Sequence, residues 1–176
     1  MASIGVIGAG TWGTALAVLL HNNGHQTAIW SALPEEIEEM TKTRRHKNLP
    51  EITIPEEIFL TADLEEAMAC KDVLIMAVPS VFVRSTAARM KPFLKKGQLV
   101  VDVAKGIEEG TLKTLSQVIE EELPEAETAI LSGPSHAEEV SLGLPTTCVA
   151  AAHKRHVAEY VQSLFMSRIF RVYTSP

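Results

Sequence analysis

Gly8-Ala9-Gly10-Thr11-Trp12-Gly13 constrains this chain more than any other stretch. It follows an apolar run, Ser3 to Ile7, that reads as a strand. It opens an amphipathic stretch, Trp12 to Asn23, in which Leu16, Leu19 and Leu20 share one helical face before Gly24 stops it. A lone GxGxxG says little, but one that ends a strand and opens a helix is the context a dinucleotide-binding loop demands. Gly8 makes the tight turn, Gly10 leaves room for a pyrophosphate to approach the backbone, and Gly13 lets helix and strand pack closely. The helix start offers free N–H groups and a partial positive charge to phosphates.

The rest of the chain repeats the alternation. Strands are predicted at Gln26 to Trp30, Asp72 to Val78, Gln98 to Ala104, Glu127 to Leu131, Thr146 to Ala152 and Arg168 to Tyr173. Helices are predicted at Pro34 to Thr43, Val81 to Leu94, Thr111 to Glu122 and Lys154 to Phe165, with shorter ones from Asp63 through Cys70 and from His136 to Ser141. The segment Arg44 to Leu60, rich in charge and proline, reads as loop. Val73 to Val78 is apolar on both faces, as a strand covered by helices above and below requires. The expected fold is a doubly wound, Rossmann-type α/β domain with a mostly parallel sheet and helices on both faces, spanning residues 1–176. The last strands could run antiparallel. The chain reads as cut after Thr174-Ser175-Pro176.

Composition narrows the partners. The formal net charge is −6, which argues against a polyphosphate backbone as ligand, and nucleic acid is not expected. The one basic cluster, Arg44, Arg45, His46 and Lys47, reads as a solvated loop. Cys70 and Cys148 form no CxxC pair, and no secretory signal or apolar run of spanning length is present, so a cytoplasmic protein is expected. His21 and His25 are separated by the helix-stopping Gly24, and neither that pair nor His153 with His156 has further ligands at metal spacing, so no metal site is expected. Met68, Met76, Met90 and Met166 read as core filler, Glu120-Glu121-Glu122 as a solvated helix end, and Ser135 next to His136 as neighbours without nucleophilic meaning.

The acid that commonly binds the ribose 2′-hydroxyl about 20 residues after the glycine motif is missing. Ser31 and Ala32 stand there instead, so the reading favours NADP(H) over NAD(H), with Ser31 as a donor to a 2′-phosphate and the Arg44–Arg45 loop within reach. Further motifs follow successive strands at the same carboxyl edge. Val78-Pro79-Ser80 leads to Phe82, which could pack against the cofactor. Lys105-Gly106-Ile107-Glu108 presents a cation for an anionic or carbonyl substrate. Ser132-Gly133-Pro134-Ser135 brings backbone and hydroxyl donors.

Together these motifs resemble the bacterial glycerol-3-phosphate dehydrogenase [NAD(P)+] family. The matching pieces are Ile4 to Leu16, Ala77 to Ser80, Lys105 to Glu108, Ser132 to Ser135 with Ala137 and Glu139-Val140, and the closing Val172-Tyr173-Thr174-Ser175-Pro176. The resemblance implies that Thr11, Trp12, Lys105 and Ala137 contact the cofactor, and that Lys105, Gly133 and Ser135 bind the triose phosphate. Ala32 departs from the basic or polar residue usual there, and His136 from an aromatic. It also implies that no catalytic residue lies in this chain. The lysine that moves the proton belongs to a helical substrate domain expected beyond it, and this stretch alone is expected to show no turnover. The complete enzyme would interconvert dihydroxyacetone phosphate and sn-glycerol 3-phosphate for phospholipid synthesis, as a candidate homodimer. Two other readings share the first domain: a ketopantoate- or β-hydroxyacid-type reductase, and a non-catalytic dinucleotide-binding module.

Overall fold

The computed structural model, which describes residues 1–175, runs β1 (Ser3–Ile7) into α1 (Thr11–Asn22) through the glycine turn. Pro176, the last residue of the closing motif, lies outside the described residues. Then come β2 (Gln26–Trp30), α2 (Pro34–Thr43), β3 (Phe59–Thr61), α3 (Leu64–Met68) and β4 (Val73–Met76). They are followed by α4 (Val83–Met90), β5 (Leu99–Asp102), α5 (Leu115–Glu122), β6 (Glu127–Ser132), α6 (Ala137–Ser141), β7 (Thr146–Ala152), α7 (Arg155–Phe165) and β8 (Phe170–Ser175).

The strands form one sheet in the order β3-β2-β1-β4-β5-β6-β7-β8. Every neighbouring pair is parallel except β6 with β7. From β1 the chain first builds outward through β2 and β3, then returns to β4 and builds the other way. The order therefore reverses beside β1, where open α/β sheets bind ligands beyond their strand ends. The register keeps those ends level: Trp30 pairs with Ile7, Ile7 with Met76, Met76 with Asp102, and Asp102 with Ile130. The loops after β1, β2, β4, β5 and β6 thus open onto one edge.

Residue choice explains the two-sided core. In β4, Val73 and Ile75 join one apolar cluster while Leu74 and Met76 join the other, and all four are fully buried. Each such side chain contributes about 1.5–3 kcal/mol by leaving water. In β7 and β8 burial alternates instead. Cys148, Ala150, Phe170 and Val172 are buried, while Val149 and Tyr173 stay exposed. Helix starts are marked locally: Pro34 opens α2, the Asp63 carboxylate accepts from the Glu65 and Glu66 amides, and Thr114 with Gln117 forms a capping box on α5. Among the described residues, no helix is long and apolar enough to cross a membrane.

The structure departs from the sequence reading in several places. The segment expected to be loop up to Leu60 contributes β3, because three residues suffice to pair with β2 at the sheet edge. Its basic cluster is not simply solvated. His46 is 3% exposed, and the Arg44 guanidinium faces Glu56 and donates from Nη1 to the carbonyls of Pro55 and Ile58. The helix expected from Thr111 begins only at Leu115, since Gly110 and Leu112 adopt positive φ and the capping box sets the start. Met166 is partly exposed rather than core. Glu121 and Glu122 bind Arg84, and Glu120 meets His153, so that helix end is paired rather than merely solvated.

Candidate functional site

Three glycines of the loop answer to different constraints. Gly8 has φ +123°, and a Cβ there would sit 2.7 Å from the Ala77 carbonyl group at the end of β4. At Gly13 a Cβ would lie 2.0 Å from the Gly8 carbonyl oxygen, so α1 packs directly on the turn. Both are demanded by the protein itself. Gly10 is not. Its φ of −61° suits any residue, and a Cβ would meet nothing within 4 Å. The space above Gly10 is open, and no side chain caps the start of α1. First-turn N–H groups facing an open cradle fit a phosphate-bearing ligand.

Across the edge, Lys105 is drawn towards the start of α1. Its Nζ donates to the Gly133 carbonyl at 3.0 Å and to Ser135 Oγ at 3.3 Å, and lies 5.6 Å from the centroid of the Trp12 ring. The Trp12 indole is itself fixed by donating from Nε1 to the Val103 carbonyl at 3.0 Å. Ser135 is only 2% exposed, so it lies beneath the ammonium. Gly133 has to be glycine, because a Cβ would lie 2.5 Å from the Thr147 carbonyl oxygen where β6 and β7 meet. Ala137 is buried in the same apolar cluster as much of α1. Trp12, Lys105, Gly133 and Ser135 therefore form one contiguous group. Phe82 stays more than half exposed after β4, outside that group, in the turn whose Ser80 abuts Gly106 at 3.5 Å from a Cβ position.

Ser31 closes the other flank. It is 5% exposed, its hydroxyl donates to Glu36 Oε2 at 2.6 Å, and it accepts from the Leu33 amide. Ala32 beside it is exposed. Arg44, engaged with Glu56 and two carbonyls, is turned to other work, whereas Arg45 lines a cleft with Glu36 and His46.

Residues 3–158 match the family model for the NAD-dependent glycerol-3-phosphate dehydrogenase N-terminus. The chain belongs to this family. It is 54% identical to a glycerol-3-phosphate dehydrogenase [NAD(P)+] of Agathobacter rectalis, covering all of this chain and 53% of that protein, and 51% identical to one of Moorella thermoacetica, covering 52% of it. The chain thus spans about half the length of the curated relatives it matches. The solved glycerol-3-phosphate dehydrogenase of Coxiella burnetii superposes with a TM-score of 0.93 at 30% identity, covering 99% of this chain and 54% of that one. A ketopantoate reductase from Ralstonia eutropha shares the fold with a TM-score of 0.73 at 21% identity. The glycerol-3-phosphate dehydrogenase family is NAD(P)-dependent, and this chain is its nucleotide-binding N-terminal region.

Three residues around this site are not found by the sequence reading. Asp102 ends β5 at 4% exposure, and its Oδ1 accepts from the Ala104 amide at 3.0 Å. Burial pushes its carboxyl up to about 6, against the smaller pull of that bond. It lines a cleft together with Lys105, Ser132 and Gly133. An acid closing an otherwise apolar strand was the available signal. Arg84 grips Glu108 through two bonds of 2.6 and 2.8 Å and also binds Glu121 and Glu122. The Arg84 guanidinium, then the Thr111 hydroxyl, hold the Glu108 carboxyl down at about 2. Nothing in sequence spacing brings Arg84 to Glu108. The third is Glu36, five residues after Ser31 in the first turn of α2.

Proposed function

We propose that this domain holds NAD(P)(H) across the glycine turn, and that Lys105, Gly133 and Ser135 receive a triose phosphate at the same edge. The observation that supports it most is Gly10: a glycine that neither backbone strain nor packing requires, with open space where its Cβ would be. Thr11, Trp12 and Gly13 supply amides to the pyrophosphate, and Ser31, Ala32, Phe82 and Ala137 line the remaining nucleotide path. When bound, the nicotinamide supplies a hydride. The role of this chain is to bind and orient. The Lys105 ammonium, seated on Trp12 and the Gly133 carbonyl, meets the substrate oxygens first, with the Ser135 hydroxyl behind it. No proton donor or acceptor for the substrate oxygen is assigned among these residues. That task falls to a further substrate domain of the complete protein.

The complete protein then interconverts dihydroxyacetone phosphate and sn-glycerol 3-phosphate and feeds glycerophospholipid synthesis from the cytoplasm. The names of the relatives support the reaction, and two free cysteines, Cys70 and Cys148, support the compartment. A homodimer of the complete protein belongs to the same reading, to be checked by light scattering. Calorimetric titration of the chain with NADH and NADPH is the direct test. Binding of at least one, with no dihydroxyacetone phosphate reduction by this chain alone, is the expected result. Binding of neither would remove the cofactor assignment, and robust turnover would remove the assignment of the proton step elsewhere.

A further inference from the structure

The missing ribose acid leaves a question that the structure answers through a different residue. We infer that Glu36, held by Ser31 beside the glycine turn, binds the adenosine ribose hydroxyls and makes this domain prefer NADH to NADPH. This rests on the cofactor reading above and adds to it the residue that selects between the two dinucleotides.

The geometry starts at β2, whose carboxyl end faces the ribose in sheets of this order. The first residue past it, Ser31, is buried, and its one hydroxyl proton goes to Glu36 Oε2 at 2.6 Å. That proton is therefore committed, and Ser31 presents no donor to a 2′-phosphate. The Glu36 carboxylate has about four acceptor positions, of which this bond uses one. A ribose with free hydroxyls donates to the remainder. A 2′-phosphate brings acceptors and negative charge only, and is repelled.

The cleft around Glu36 reinforces the sign. It is lined by Glu35, Glu36 and Glu39, and by Arg45, Lys47 and His46. His46 is buried and faces the backbone of Ala9 in the glycine loop, which places this cleft next to the nucleotide path. Burial lowers the His46 pKa, so the imidazole adds no charge at neutral pH. Three carboxylates thus face two cations, and of these five charged residues Glu36 alone is partly buried, the other four being exposed. Arg44 does not alter the balance, since it is engaged with Glu56 and the Pro55 and Ile58 carbonyls.

The experiment is calorimetric titration of this chain with NADH and with NADPH, in parent, Glu36→Gln and Ser31→Ala forms, each checked for an intact thermal transition. Repulsion between one carboxylate and a phosphate across partly solvated space corresponds to a preference of about tenfold for NADH. Glu36→Gln keeps the shape, removes the charge and brings the two affinities together, chiefly by a gain for NADPH. Ser31→Ala releases Glu36 from the bond that holds it, so NADH is expected to weaken several-fold and NADPH to lose less than NADH. Equal or tighter NADPH binding by the parent overturns the inference, as does an unchanged ratio in Glu36→Gln. A selective loss of NADPH affinity in Ser31→Ala overturns it too. Binding of neither dinucleotide to a folded parent chain overturns the cofactor reading itself, and the inference falls with it.

Discussion

The two halves of the candidate site are held in shape by different physics. The glycine loop is fixed by contacts that a residue makes with its own neighbourhood: a positive φ at Gly8, the Gly8 carbonyl against α1, and the Thr14 hydroxyl donating to the Ala9 carbonyl at 3.0 Å. The lysine loop, residues 105–113, is fixed from a distance. Arg84 from α4, itself bound to Glu121 and Glu122 of α5, clamps it through Glu108, and Lys113 meets Glu121. A steric constraint is short in range and hard. An ion-pair clamp at the surface is soft and screened by salt. The first region is thus a rigid cradle, and the second a loop whose shape depends on its partners.

The hardest contrast lies within the glycine loop itself. Gly13→Ala places a methyl 2.0 Å from a backbone oxygen that cannot move without breaking the turn. Its expected cost exceeds about 3 kcal/mol, above ordinary overpacking, and urea unfolding reads it directly. Gly10→Ala meets open space and changes only a helix start, so its stability cost is no more than about 1 kcal/mol. Binding reverses the order. The Gly10 methyl intrudes where a pyrophosphate approaches, and an overpacking cost of about 1–3 kcal/mol corresponds to a roughly fivefold to 150-fold weaker dinucleotide. A Gly10→Ala chain that binds as well as the parent would show that the open space is not the phosphate cradle.

The same contrast explains what could be read in advance. The glycine motif, the apolar runs of β1 and β4 and the level strand ends all follow from local pattern. So did the doubly wound sheet and the neighbourhood of Lys105, Gly133 and Ser135, since loops after successive parallel strands share an edge. The sequence puts Ser31 directly after β2 but does not show its partner Glu36, because a carboxylate in the first turn of a helix ordinarily reads as a dipole complement. Arg44 and His46 looked like surface charge, and only the fold shows that they turn inward. Arg84 and Glu108 are 24 residues apart on separate elements, so no periodicity links them. β3 was lost for a related reason, since three residues carry too little alternation to register.

Asp102 gives the lysine side an electrostatic cost that the glycine side lacks. Its carboxyl is raised to about 6 by burial, whereas an unfolded aspartate titrates near 3.9. The folded state therefore binds this proton more tightly than the unfolded state. Stability falls as pH rises from about 4 to about 6, and the full penalty persists above that window. Two pKa units correspond to roughly 3 kcal/mol. Asp102→Asn keeps an acceptor for the Ala104 amide and removes the charge. It is expected to stabilise the chain by up to about 3 kcal/mol at pH 7.5, with no gain at pH 3. Denaturant melts at the two pH values decide it. A gain of equal size at both would mean that the aspartate is disfavoured for its shape rather than for its charge.

The smallest effect comes from loosening the clamp. Arg84→Met keeps much of the stem's packing and deletes all four bonds to Glu108, Glu121 and Glu122. The pairs are only partly buried, so the melting temperature is expected to fall by no more than a few degrees. Local order is a separate matter. Arg84 holds the loop through Glu108, whose carboxylate also accepts from Thr111, so without Arg84 the turn back to Thr114 rests on its own backbone bonds, from the Glu108 amide to the Lys113 carbonyl and from the Leu112 amide to the Glu108 carbonyl. Amide exchange in residues 106–113 is expected to quicken, while amides of the glycine loop keep their protection. Raising the salt concentration should quicken the same amides more in the parent than in the variant, which keeps only the Lys113–Glu121 pair to screen. Equal exchange in parent and variant would instead show that the positive φ of Gly106, Gly110 and Leu112 already sets the loop, making the lysine side as locally determined as the glycine side.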